Sequence, residues 1–336
     1  MNRVAMGCLT GLLVLALLIS IGFNILQSAA LASSAGAGVE QREPLKERLE
    51  APGEPGVTDK IAQIDIEGLI TSVEEDGGLL GGQLSRLDLI KQALEQAVAD
   101  EQVKAVLLRI HSPGGEVTAS DTLYAAVRRA AAKKPVVVYM DAIAASGGYY
   151  IACGASKIVA SETTLTGSIG VIMRSFSYHE LFDKVGLGAN TFTSGAFKDT
   201  LSGARPMREE EAVYVQGLVN DMYERFLQVV AQARGRTPEQ LRETVADGRV
   251  FTGAQALKAG LVDQIGYIED AWELARELGG AEGARVVKYR SSPGLFSLLG
   301  LAAARATGKV KLELAGVPTG AVQPGLLYYL PAWLER

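Results

Sequence analysis

VKAVLLRIHSPGG, residues 103–115, and PVVVYMDAIAASGGYYIACGA, residues 135–155, decide the fold. Each opens with a short aliphatic run that has the length of a strand and little polar face, as expected of a strand buried on both sides. Each then passes into small residues and glycine, which predicts a loop where backbone or ligand comes close. Between them the Ala-rich stretch from Thr118 to Ala132 reads as a helix, and the second stretch continues into a further helix after its own loop. Strand, glycine loop and helix recurring in this order predict an α/β fold with a largely parallel sheet and right-handed crossovers.

The flanking sequence extends the pattern. KIAQIDIEGLI, residues 60–70, alternates as a half-buried strand does, and the glycines from Gly77 to Gly82 form a loop. SRLDLIKQALEQAVAD carries Leu87, Leu89, Ile90, Leu94 and Val98 on one helical stripe. Downstream, KIVASETTLTGSIGVIM, residues 157–173, reads as two short strands about a turn. Arg208 to Ala233 reads as one long helix and Ile268 to Leu278 as another. No internal repeat is present, so one catalytic unit, residues 59–290, is expected.

The ends differ from this body. From Val4 to Leu26 the chain carries no charge, and an apolar run of about 20 residues crosses a bilayer as a helix. The run is long for a secretory signal peptide, so residues 1–26 are expected to remain as an anchor. Arg3 precedes the run and Glu40 follows well after it, which holds the N-terminus inside and the body outside. Residues 27–58, rich in Ala, Ser, Gly, Glu and Pro, read as a solvated linker. Residues 291–336 form a Gly- and Ala-rich tail that ends in the apolar GLLYYLPAWL.

Composition narrows the chemistry. In 336 residues, 33 Lys and Arg stand against 38 Asp and Glu, a net charge of -5 with no basic block, which argues against nucleic acid as a partner. Two cysteines, Cys8 and Cys153, supply neither a disulfide framework nor a four-thiolate zinc site. The two histidines, His111 and His179, are far apart in sequence and offer few bases for a Ser-His-Asp triad.

Ser146, between small residues at a helix start, is either a nucleophile beside unpaired N–H groups or an N-cap for the first turn. Gly147 and Gly148 favour close substrate approach, since a cap needs no glycines after it. Gly114 and Gly115 follow a buried strand and offer either oxyanion donors or a Pro-Gly turn. No phosphate-binding glycine motif occurs. A serine hydroxyl needs a base, and a lysine serves once its ordinary pKa of about 10.4 falls to about 7, which burial can achieve. Lys198, approached by Gly195, Ala196 and Phe197, is the candidate; its alternative is a surface lysine.

The order HSPGG, DAIAASGGYYIAC, TLTGSIGVI, SGAFKD and GRVFTGAQALKAGLVDQIG resembles the signal peptide peptidase A family of membrane-anchored bacterial serine peptidases, in its short, single-copy form. The resemblance covers about Lys60 to Leu278 and implies a ClpP/crotonase-like fold, a homo-oligomer and no cofactor. Carried over, it implies Ser146 as nucleophile, Lys198 as general base and Ser168 as the residue orienting the lysine amine. Gly114, Gly115 and Gly147 match the oxyanion-forming segments. The implied substrates are remnant signal peptides and other short or unfolded peptides, at the bacterial cell membrane, with the catalytic domain extracytoplasmic. His111 departs from the pattern where asparagine is expected, and is read as a turn residue. Two other readings stand beside this one: a catalytically silent membrane-anchored scaffold, and an acyl-CoA enzyme of the crotonase class on the same fold.

Overall fold

The computed structural model of the chain describes residues 11, 13–24, 44–72, 85–290 and 328–329. Its centre is the strand β3, Val103–Ser112, flanked by β2, Lys60–Glu67, and β5, Val136–Ala145, both parallel to it. Alternate residues of β3 point to opposite faces, and both faces are buried. Val106, Leu108 and Ile110 enter the larger core, while Ala105 and Leu107 enter the smaller one. This is why the run is continuously apolar instead of alternating.

Among the described residues the sheet has nine strands. Beyond β2 lie β10, Arg285–Arg290, in parallel, and then β1, Lys46–Ala51, antiparallel at the edge. Beyond β5 lie β6, Lys157–Ala160, and β9, Gln264–Ile265, both parallel. A second short branch pairs β7, Leu165–Gly167, with the last residues of β5, and β8, Val250–Thr252, with β7. The largely parallel α/β sheet expected from sequence is present.

Helices that cover the larger core include α1, Arg86–Ala99; α2, Val117–Ala131; and α3, Gly147–Ala152. The α1 helix starts at Ser85, whose side chain accepts a hydrogen bond from the Asp88 N–H, and buries Ile90, Ala93, Leu94 and Ala97. Later come α4, His179–Val185; α5, Glu209–Arg234; α6, Pro238–Thr244; and α7, Gly253–Lys258. On the other face, α8, Ile268–Gly279, lays Ala271 and Ala275 into the smaller core.

Two elements differ from the sequence reading. Strand β1 lies within the stretch read as a linker, because KERLEA is charged and its pairing with β10 rests on backbone bonds that leave no apolar mark. Strand β5 runs through the expected loop to Ala145, because Ile143, Ala144 and Ala145 change partner and pair with β7. The candidate nucleophile therefore follows directly from a strand. Half of the expected anchor, residues 1–26, lies outside the described residues; residues 11 and 13–24 of it are helical. Among the described residues no helix is long and apolar enough to cross a membrane.

Candidate active site

Ser146 stands between β5 and α3 with φ 53 and ψ -111, a conformation that L-residues with a Cβ rarely adopt. Its backbone is held on both sides: its N–H donates to the Gly167 carbonyl at 2.8 Å, and its carbonyl accepts from the Tyr150 N–H at 2.8 Å. The residue is fully buried, yet Oγ has no hydrogen-bond partner among the described residues. It makes no capping bond either, so the N-cap alternative fails on geometry. A strained backbone that presents an unpaired buried hydroxyl is compatible with a nucleophile.

Three glycines of the sequence reading converge on it. Gly114, with φ 117, donates its N–H to Ser112 Oγ at 3.1 Å and accepts from the Ile70 N–H at 2.9 Å. A Cβ on Gly114 would stand 2.8 Å from the Gly147 nitrogen, and one on Gly147 would stand 3.1 Å from the Gly115 nitrogen and 2.5 Å from Ser120 Oγ. A Cβ on Gly115 would stand 1.9 Å from the Ile70 carbonyl oxygen. The glycines are there so that two backbones can touch. Gly115→Ala is expected to lower stability by about 1–3 kcal/mol, the usual cost of overpacking, and to cut activity with it. Thermal melting beside turnover checks this, and a variant as stable as wild type would contradict the contact.

An extended segment of the chain already lies on this surface. Tyr328 and Tyr329 form β11, antiparallel to β4, Gly115–Glu116, and Tyr328 exchanges both backbone hydrogen bonds with Ile172 at 3.1 Å. The Tyr329 carbonyl oxygen is 2.0 Å from where a Gly114 Cβ would be. Its ring stacks on Tyr150 at 5.0 Å and meets Phe226 at 4.7 Å, and Tyr124 packs edge-on to Tyr150 at 5.2 Å. Sequence reading missed this aromatic pocket. The two tyrosines after the SGG loop and the apolar end of the tail were its signal.

The other candidates are dispersed over the fold. Ser168 is buried with φ 49 and donates its N–H to the Arg249 carbonyl at 2.9 Å, one residue after the Gly167 that holds Ser146. Lys198 is exposed, in a turn where its N–H donates to the Gly195 carbonyl at 3.1 Å. Within one chain its amine does not reach Ser146, whose Oγ is unpartnered. His111 belongs to β3 and not to the turn after it. Its neighbour Ile110 faces Gly148, so the imidazole lies on the opposite face of the sheet, 3.8 Å from Asp141. His179 opens α4 and shares a hydrogen bond with Ser177 at 2.7 Å. Cys153 is no thiolate, since burial pushes its thiol up to about 12.

Known proteins share much of this chain. The profile of peptidase family S49 matches residues 128–282, and that of Clp protease matches residues 86–165. A putative protease of Methanocaldococcus jannaschii is 39% identical over 222 residues, 65% of this chain and 71% of its own. A putative signal peptide peptidase SppA of Enterococcus faecium is 38% identical over 235 residues, 69% of this chain and 67% of its own. A putative protease of Synechocystis is 40% identical over 227 residues, 68% of this chain and 77% of its own.

Proposed function

The chain belongs to peptidase family S49 and is a serine peptidase, and from that premise we propose that it is a membrane-anchored endopeptidase working through a Ser146–Lys198 dyad. The observation that carries the reading is the buried, unpartnered Ser146 hydroxyl on a positive-φ backbone beside Gly114, Gly115 and Gly147. In this reaction neutral Lys198 takes the Ser146 proton and Oγ attacks the scissile carbonyl carbon. The N–H groups of the glycine segments stabilise the tetrahedral oxyanion. Lys198 then gives its proton to the leaving amine, and a water deprotonated by Lys198 releases the acyl group. Ser168 orients the lysine amine.

Because Lys198 does not reach Ser146 in its own chain, we place it in the site of a neighbouring copy. The segment that carries it supports this. Phe176, Leu181, Val185, Leu187 and Phe192 all project into solvent in the isolated chain, Phe192 at 97% exposure. A run of large apolar side chains this exposed marks an association surface. Oligomerisation would cover them and complete the active site in one step.

The peptide enters as an extended strand, pairing with Gly115–Glu116 on one edge and Ile172 on the other as Tyr328 and Tyr329 do. Such a groove reads backbone first, which suits short or unfolded segments, remnant signal peptides among them. Val4 to Leu26 serves as the single-pass anchor, with the body on the extracytoplasmic side. Full-length protein is expected to fractionate with membranes and, purified in detergent, to hydrolyse signal-peptide sequences while leaving acyl-CoA thioesters intact. Thioester turnover without peptide cleavage would favour the crotonase-type reading, and neither activity would favour the silent scaffold.

A further inference from the structure

Lysine and aspartate are adjacent at Lys198 and Asp199, an awkward pair for a catalytic base. A carboxylate within reach of an ammonium favours the charged form, and a base has to be neutral. The structure pairs this carboxylate with another cation. Arg205 takes both Asp199 oxygens in a fork, Nε to Oδ2 and Nη2 to Oδ1, each at 2.7 Å. Its other edge holds Glu211, the third residue of α5, through Nη1 to Oε2 at 2.8 Å and Nη2 to Oε1 at 2.6 Å.

Glu211 is buried, although the residues on either side of it at the start of α5 are exposed. It also accepts from the Arg208 N–H at 3.0 Å, from Arg208 Nη2 at 2.7 Å and from Thr200 Oγ1 at 3.3 Å. Arg208 in turn donates to the Ala196 carbonyl. The turn from Ala196 to Thr200 is thus tied to the start of α5 on both sides of Lys198. Tyr214 of that helix packs its ring on Phe197 at 5.3 Å, and Glu210 pairs with Arg208 at 3.3 Å. Isolated surface ion pairs contribute little to stability, but a bidentate arginine within a network of several charges holds a fixed geometry, and here that geometry belongs to the turn carrying Lys198.

We propose that Arg205, locked by Glu211, is a positioning residue: it holds the Asp199 carboxylate away from Lys198 and fixes the turn that presents the lysine amine. The inference rests on Lys198 being the base, and it deepens that reading. The Arg205 fork holds Asp199 below the usual carboxylate range, and hydrogen bonds from Arg205 bring Glu211 down to about 2. Both acids stay charged wherever a peptidase of this type works, so the clamp does not itself titrate there.

The test is the pH profile of kcat/KM on a quenched fluorescent peptide, with full-length protein in detergent. The wild type is compared with Arg205→Gln, Arg205→Lys, the double variant Arg205→Gln with Asp199→Asn, and Lys198→Ala. The freed carboxylate should move the rising limb of Arg205→Gln by about one pH unit toward alkaline, and adding Asp199→Asn should bring it back. Should Arg205→Gln fail to fold, Arg205→Lys carries the same test, since one ammonium cannot hold both carboxylates as a fork does. A folded Arg205 variant whose limb stays in the wild-type place, even with a uniformly lower rate, overturns the proposal. Activity retained by Lys198→Ala would instead defeat the base assignment, a result the Arg205 profiles cannot mimic.

Discussion

Ser146→Ala is expected to lower kcat/KM for peptide hydrolysis by more than about 10³-fold, because a covalent mechanism has no substitute for its nucleophile. The same change should leave the melting temperature nearly unaltered. Oγ makes no hydrogen bond among the described residues, so its removal breaks none, and a buried polar group without a partner is lost. An N-cap serine would behave in the opposite way, costing about 0.5–2 kcal/mol of stability and sparing turnover. Melting and turnover measured on one preparation separate the two, and a folded Ser146→Ala protein with undiminished turnover would remove Ser146 from the mechanism.

Lys198→Ala should cost about 10²–10⁴-fold, the range of a general base. Lys198→Arg should be as inactive, since a guanidinium keeps the charge and cannot deprotonate. His111→Asn and His179→Ala should keep activity: the first imidazole lies on the far face of β3 and the second bonds to Ser177. A lysine base makes kcat/KM rise into mildly alkaline pH, whereas a histidine base would level off near pH 7. The cross-chain arrangement adds a sharper test. Mixing Ser146→Ala with Lys198→Ala protein, after dissociation and reassociation, should restore activity that neither has alone, because some sites then receive both intact residues. Failure of the mixture to recover would return the dyad to a single chain.

The central sheet was legible because its chemistry is local. Val106, Leu108 and Ile110 face one core and Ala105 and Leu107 the other, so burial on both faces writes itself into a continuous apolar run. The glycine positions were legible for a similar reason: where a Cβ would stand 1.9 Å from a carbonyl oxygen, as at Gly115, only glycine fits. Strand β1 was not, because edge pairing through backbone groups places no demand on side chains such as those of KERLEA. The last turn of β5 was hidden because DAIAA reads as a loop until β7 supplies its partner. The relation of Lys198 to Ser146 was out of reach altogether. In the arrangement proposed above it depends on where an exposed segment docks, and sequence order carries no distance between residues of two chains.

The most direct measurement is to label the full-length protein with a fluorophosphonate probe and to locate the adduct by mass spectrometry of the digested chain. The expected result is one modified residue, Ser146, labelled faster as pH rises toward mildly alkaline values and hardly at all in Lys198→Ala. Modification of a different serine, or peptide cleavage that continues with no serine modified, would contradict the assignment of Ser146 as nucleophile.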